Sequence, residues 1–482
     1  MQTVLFPRWV YYVAVVALIL LIISTLPHRV VHFDDAWGAE LSYWLVKDGR
    51  VHSELFRGIG DGSEQQAYVF HKAFVLLEAG LMRVFGFGLY TAKAMGLIFS
   101  AVGLWLLMRY FRGRHEARWL AAFLYLGCGA LLSAAFIGRP EPLAMSAGLA
   151  SFMLLSKAQG RARGLILAGL LGGLAGLAHL HALIFLMAGG LWLLLRRTHL
   201  SGVLAFGAAG TFTMAFYPLD AVLNHQLPVL ISQFSHAPVT QANQHGWAKL
   251  AMLLDYQTVY FHSEGEAVLT VLLLLVMALA WRRGTLFLTG PQLYLALLVL
   301  SFWVLCTRAD GYYFLLLAPF FIIVVVELSL SAWPHLVPWR RVALQTMLAV
   351  YPLGAGVRAY HLKIQKQDTP WPATENAVLS RYMPKKGSIV VVPLDFFFNE
   401  IGHYRLRGLT AYGMRNKAQY HDTLSVRGFF TLVAQDSAEY VVTEHSTRNE
   451  AYHVPSNAPG RIGGYERVFQ DSWHSVYRRI VQ

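Results

Sequence analysis

Long apolar runs separated by short polar connections dominate the chain. The first run, 10–26, follows a short opening segment with one basic residue, Arg8. Ten more stand at 89–108, 119–136, 143–156, 165–178, 182–195, 201–219, 266–281, 286–306, 312–333 and 342–358. Most come near the roughly 20 residues that carry a helix across the hydrocarbon core of a bilayer. No small-residue cleavage site follows Leu26, so the first run reads as an uncleaved span and not as a signal peptide. The pattern predicts an all-α polytopic membrane bundle of about eleven transmembrane helices.

Three intervals break the rhythm. In the first, 28–88, Trp37, Leu41, Trp44 and Leu45 recur at helical spacing. They predict an amphipathic interfacial helix over 35–48, ended by Gly49. A polar turn region at 58–66 follows, then a second helical pattern over 68–85. The interval 220–265 is rich in His, Gln and Asn and predicts a helix over 247–260; a lid, an acceptor-binding surface and a plain interfacial loop all fit it. Beyond about 361 charged residues return. Strand-like stretches at 388–392, 440–442 and 475–480 predict a small α/β domain over 361–482, appended to a membrane domain over 1–360. Gly169, Gly172, Gly173 and Gly176 lie within one apolar run at small-xxx-small spacing, which serves close helix packing and not phosphate binding.

Composition agrees with this division: 56% of residues are hydrophobic and 14% charged, and the mean hydropathy is +0.45. A soluble chain with a formal net charge of +13 would suggest a nucleic-acid partner; here the positions of the charges point to topology instead. With the N-terminus in the cytoplasm, the connections on that side collect basic residues such as Arg109, Arg112, Arg114, Arg118, Arg196 and Arg197, whereas the opposite connections at 137–142, 179–181, 220–265 and 307–311 hold only Arg139, Lys249 and Arg308. That bias is the positive-inside pattern. It puts 28–88, 220–265 and the C-terminal domain on the outer face, and it implies a multi-pass membrane protein with no nucleic-acid partner. The two cysteines, Cys128 and Cys306, lie inside apolar runs and offer neither a disulfide nor a thiolate zinc site.

The candidate chemistry collects on that outer face. Asp34 and Asp35 follow the first span within His32-Phe33-Asp34-Asp35-Ala36-Trp37-Gly38-Ala39-Glu40. Adjacent carboxylates raise one another's pKa, which suits one of them to act as a base; solvated loop acids would look the same. Glu40 either faces the same way or complements the helix dipole. Arg139-Pro140-Glu141-Pro142 forms a rigid external turn with one cation and one anion, either functional or a structural pair. Phe70-His71-Lys72 offers a lysine for phosphate and a histidine for metal or hydrogen bonding. His179 and His181 flank another external turn, as zinc ligands or as hydrogen-bonded structure. Arg308 and Tyr312 suit a lipid phosphate at the interface, or act as snorkelling anchors.

The order of these elements, with Phe85-Gly86 before the second span, resembles the GT-C class of membrane glycosyltransferases, in particular the protein O-mannosyltransferases and the lipid A aminoarabinose transferases. The resemblance implies that Asp34 matches the family's catalytic Asp, Asp35 the acid after it, Lys72 the lysine associated with donor phosphate, and Glu141 the second-loop acid. His71 stands where the family has a metal-associated Glu, and Ala73 where it has Pro. The resemblance also implies the bacterial inner membrane as the location. The expected activity is inverting transfer of a sugar from a polyprenyl-phosphate donor to a hydroxyl acceptor on a lipid, glycan or protein. Asp34, Asp35 and Glu141 are then the catalytic candidates, Lys72, Arg139 and Arg308 the donor-phosphate ligands, and Glu40 and Tyr312 the substrate contacts. The cofactor is open, with a divalent metal at His71 as one reading. A transporter or flippase of a lipid-linked or anionic solute is the alternative; it calls for ionisable residues along the middles of spans and an internal repeat, and the charges cluster at one face instead.

Overall fold

Each apolar run is mainly helical where the structure, a computed structural model, describes it. The described residues are 5–29, 31–158, 161–236, 255, 257–281, 290–306, 310–367, 372–420, 424–445 and 452–480. The helices used below are α1 (Arg8–Thr25), α2 (Phe33–Asp48), α3 (Lys72–Phe85), α4 (Leu89–Tyr110), α5 (His115–Leu126), α6 (Gly129–Ala134), α7 (Glu141–Ala158), α8 (Ala162–Ala178), α9 (Ile184–Leu195), α10 (Leu200–Met214), α11 (Leu219–Leu223), α12 (Leu227–His236), α13 (Glu264–Trp281), α14 (Gly290–Leu305), α15 (Phe314–Ala332), α16 (Pro338–Val350), α17 (Leu353–Gln367) and α18 (Pro372–Ser380).

Helix α15 runs through the middle of the bundle and is buried along nearly its whole length. By contrast, α1 turns Trp9, Val13, Val16, Leu20 and Ile23 outward, a surface stable only against hydrocarbon. The segments Arg8–His28, Leu89–Tyr110 and Gly311–His335 are long and apolar enough to cross a membrane, and four shorter apolar helices accompany them. The chain is a multi-pass membrane protein. Two expected spans are broken. The run 119–136 divides into α5 and α6 at Gly127-Cys128, and 342–358 divides into α16 and α17 at Tyr351-Pro352, where proline lacks the N–H that would continue the helix. Helices α8 and α10 pack at close quarters: a Cβ on Gly169 would stand 2.2 Å from the Phe206 carbonyl oxygen.

The first outer interval departs from expectation in one respect. Helix α2 ends at Gly49 in a left-handed conformation, φ 71°, as the glycine implied. It does not lie in the interface, however. Asp35, Ala36, Ala39, Glu40, Leu41 and Ser42 are all buried, and the helix packs against α3, α4 and the 394–400 segment that follows the first strand of the C-terminal sheet. Its buried polar groups are hydrogen-bonded inside the protein, which removes the reason for an exposed polar face. Helix α12 covers this interval: the Gln233 side chain accepts from Tyr68 N (2.8 Å) and donates to the carbonyls of Asp61 (2.8 Å) and Gln66 (2.9 Å). Most of the expected helix over 247–260 falls outside the described residues, which include a short helix at Gln257–Phe261.

The C-terminal region builds a six-stranded sheet from β1 (Ile389–Val392), β2 (Arg405–Gly408), β3 (Tyr440–Glu444), β4 (Arg461–Ile462), β5 (Tyr465–Gln470) and β6 (His474–Arg479), in the order β2-β1-β3-β6-β5-β4. Strand β1 is parallel to both β2 and β3, and the other pairings are antiparallel. Side chains alternate between faces. Val391 and Val441 meet Phe429 and Phe430 on one side. Val390, Val392 and Val442 meet Phe396, Phe397 and the Ala36 and Ala39 side of α2 on the other. The 394–400 segment between β1 and β2 bridges the sheet to α2. Helix α17 continues past Tyr360 to Gln367.

Candidate active site

The site begins with a helix cap. The His32 ring accepts from Asp34 N (3.2 Å) while His32 N donates to Asp35 Oδ2 (2.7 Å), a reciprocal box that fixes the first turn of α2. Carboxylates are favoured there by the helix dipole. Successive helical residues point about 100° apart, so the two aspartates diverge into different surroundings.

Asp35 turns inward. Its Oδ2 lies 2.5 Å from Lys93 Nζ and its Oδ1 accepts from Gly138 N at 2.6 Å, while Lys93 also donates to the Phe136 carbonyl (3.1 Å). These bonds tie α2 to α4 and to the turn before α7. Small residues permit the approach: a Cβ on Gly96 would stand 2.5 Å from the Ile137 carbonyl oxygen.

Asp34 turns toward Arg139, which donates to its Oδ2 through Nη1. The same guanidinium holds Glu141 through Nε (3.0 Å to Oε2) and Nη2 (2.5 Å to Oε1). Tyr312 completes the arrangement, its ring 4.0 Å from the guanidinium carbon and its hydroxyl 3.0 Å from His32 Nε2. Of the three carboxylates only Asp34 reaches the surface, with 25% of its side chain exposed against 0% for Asp35 and Glu141. Partial burial opposes its charge, but the Arg139 charge and the His32 contact prevail and hold its carboxyl well below the usual range. Beyond Glu141, His179 Nε2 approaches Oε1 at 3.7 Å, and His71 stacks on His179 with ring centres 4.8 Å apart. Burial, helped by the Arg139 charge, pushes the His71 imidazole down to about 4.

The structure thus brings Asp34, Arg139, Glu141 and Tyr312 into contact, with His71 one ring further out. It places other candidates elsewhere. Glu40 is fully buried and accepts from Ser53 Oγ (2.5 Å), Glu54 N (2.6 Å), Leu55 N (2.8 Å) and Trp44 Nε1 (3.2 Å). It anchors the 53–55 turn and turns no oxygen toward a substrate, which corrects the expectation of a substrate contact; burial pushes its carboxyl up to about 7. Asp35 is likewise enclosed, with both oxygens engaged by Lys93, Gly138 N and His32 N. Lys72 is engaged by Asp220 of α11, Nζ to Oδ2 2.6 Å, between the rings of Phe70 and Tyr217. Among the described residues no group of three metal-ligand atoms includes His71; the one such group is Glu375, Asp471 and His474. Arg308 lies outside the described residues.

Lys93, His32 and Asp220 were not among the sequence candidates. Lys93 had a signal, since a lone lysine within the run 89–108 demands a partner. Asp220 had none, lying 148 residues from Lys72.

No family model matches the chain, and no curated protein matches it by sequence. Solved structures do share its fold. ArnT from Cupriavidus metallidurans bound to undecaprenyl phosphate is similar over 97% of this chain and 97% of that one, with a TM-score of 0.62 and 14% identity. The Archaeoglobus fulgidus oligosaccharyltransferase tethered with an acceptor peptide covers 90% of this chain, which spans 69% of it, at TM-score 0.57 and 12% identity. The mycobacterial arabinofuranosyltransferase AftD covers 100% of this chain, which spans 40% of it, at TM-score 0.55 and 16% identity. These neighbours are GT-C enzymes, and the architecture described above is the GT-C fold.

Proposed function

We propose that this chain, built on the GT-C fold, transfers a sugar from a polyprenyl-phosphate donor to a hydroxyl acceptor with inversion at the anomeric carbon. The observation that carries this reading is the unequal exposure of the three clustered carboxylates: Asp34 alone is open, and it stands beside a cation. The fold likeness supports the donor class, because one neighbour is bound to undecaprenyl phosphate and another is in complex with a dolichol-phosphate.

In the transfer the acceptor hydroxyl oxygen forms a bond to the anomeric carbon as the bond from that carbon to the phosphate oxygen breaks. The hydroxyl proton passes to Asp34, help worth about 10²–10⁴ in rate, and the electron pair of the broken bond leaves on the polyprenyl phosphate. Charge grows on that phosphate, and Arg139 is positioned to meet it. Arg139 also tunes the base. Free, its charge keeps Asp34 weakly basic; shared with a donor phosphate, it depresses Asp34 less, so the base strengthens when the donor is in place. Glu141 keeps the guanidinium oriented, and Tyr312 lies over it. Lys72 contributes to the phosphate by sharing its ammonium with Asp220. In this reading eleven spans place the cluster, both long outer intervals and the domain over 361–482 on the outer face of the inner membrane, with the N-terminus in the cytoplasm.

The test is incubation of the purified protein in nanodiscs with labelled polyprenyl-phosphate sugars and an acceptor extract. Expected are label in the acceptor and release of polyprenyl phosphate in equal amounts. Transfer from a nucleotide sugar with none from any lipid-linked donor would contradict the reading, and donor movement across the bilayer without cleavage would favour the transporter alternative.

A further inference from the structure

The C-terminal sheet carries a second group of chemistry-bearing side chains that the proposed transfer does not use. Strand β1 has β2 on one side and β3 on the other, all parallel. The chain therefore reverses its direction of travel across the sheet at the β1/β3 boundary. In open α/β sheets the crevice outside the carboxyl ends of the strands at such a reversal is where ligands bind. Asp395 lies in the turn just after β1, and Glu444, the last residue of β3, is in register with His474, the first residue of β6. Glu375 enters from α18 and Asp471 from the turn between β5 and β6.

Ligand atoms of Glu375, Asp471 and His474 lie within 4.8 Å of one another. The His474 side chain is 8% exposed, and its Nδ1 sits 3.1 Å from Glu375 Oε1 without hydrogen-bonding geometry to any acceptor. Its Nε2 is 4.0 Å from Glu444 Oε1. Asp471 Oδ1 accepts from Trp473 N (2.7 Å) and His474 N (2.6 Å), which fixes that carboxylate. Asp395 Oδ1 is buried without a hydrogen bond. His474 thus lies among Glu375, Glu444 and Asp471, with Asp395 in the adjoining turn. Even with its own charge the imidazole leaves carboxylates in excess in a partly water-excluded crevice, which costs free energy unless a further cation offsets them.

We propose that Glu375, Asp471 and His474 bind a divalent transition-metal cation of the zinc kind, with Asp395 and Glu444 around it. A mixed imidazole and carboxylate set suits zinc better than calcium or magnesium, which prefer oxygen alone. Bonds of about 2.0–2.2 Å bring ligand atoms to within about 4.4 Å of one another, a small closure of the triangle. The cation ties α18 to the β5–β6 turn. The turn carrying Asp395 also packs against α2, so the brace extends to the helix that presents Asp34.

The experiment uses the full-length protein, stripped with a chelator and re-equilibrated with zinc. Bound metal is counted by elemental mass spectrometry and located by anomalous scattering at the zinc edge. Expected is one zinc in the crevice of the wild type, with affinity at least about tenfold weaker in Asp471→Asn and Glu375→Gln. Zinc should also raise the melting temperature of the wild type and not of these variants, whereas His71→Ala should keep the crevice peak. Wild-type affinity in both variants, or no anomalous peak in the wild-type crevice, would overturn the proposal. If a variant fails to fold, the wild-type map alone decides.

Discussion

Asp34 and Asp35 stand one residue apart on α2. Asp35 is sealed among Lys93, Gly138 N and His32 N, while Asp34 remains partly exposed and shares one guanidinium with Glu141. Taking a charged pair out of water costs about as much as the pair returns, so the Asp35–Lys93 bridge does more to fix geometry than to stabilise the fold: it locks α2 against α4 and the turn that presents Arg139. On the other side of the helix, a cation divided between two carboxylates can turn part of its charge to an incoming anion. The sealed side holds the open side in place.

The sharpest way to break this contrast is Asp35→Asn. It leaves Lys93 buried against a neutral amide and should cost about 3–5 kcal/mol of stability, read by thermal unfolding in detergent, with turnover per folded molecule largely kept. A variant that folds as wild type and is catalytically dead would give Asp35 a chemical role. Next is Arg139→Gln, expected to lower kcat by about 10²–10³, the scale of losing one preorganised donor to a developing anion. It should also move the acid limb of the pH–rate profile upward. Arg139 lowers the Asp34 pKa, so the wild-type base persists below the usual carboxylate range, and losing the cation makes Asp34 protonate at higher pH. By the same linkage, stability from the Asp34 contacts is present above the unfolded value of 3.8 and fades as pH falls through the folded one. Lys72→Ala should raise KM for the donor about tenfold, the scale of one charge-assisted hydrogen bond, with kcat little changed; unchanged donor kinetics would confine Lys72 to its pair with Asp220. The smallest effect belongs to Glu40→Gln. Burial raises the Glu40 carboxyl from 4.5 to about 7, so the folded state binds the extra proton and the wild type loses stability as pH rises across that window. The amide should shift stability by less than about 1 kcal/mol near neutral pH and flatten that slope, since its oxygen can still accept from the 54–55 backbone.

Much of the helical scaffold could be read from the chain because membrane helices announce themselves by continuous apolarity. The break at Pro352 was written in the sequence too, although hydropathy alone runs across it. Strands β2 and β5 escaped because Arg405, Arg407, Glu466 and Arg467 interrupt their apolar character. In the site, sidedness brought Asp34, Arg139, Glu141 and Tyr312 to one face, and the structure puts them in contact. Proximity in sequence could not tell Asp34 from Asp35, since a single helical step separates surface from core. The family resemblance gave Asp34 the catalytic place, but the difference in their surroundings rests on Lys93 and Gly138, which only the folded chain brings near. Glu40 was misjudged for a related reason: its partners lie in a turn 13 to 15 residues later, and a buried carboxylate with four donors resembles a functional one until they are seen.

The most direct test compares Asp34→Asn with the wild type in reconstituted transfer from a labelled polyprenyl-phosphate sugar, after matching the two for folded protein by size-exclusion profile and melting temperature. The expected result is a fall in kcat of about 10²–10⁴ with donor binding retained. Near-normal turnover in a folded Asp34→Asn protein would contradict the assignment of Asp34 as the base.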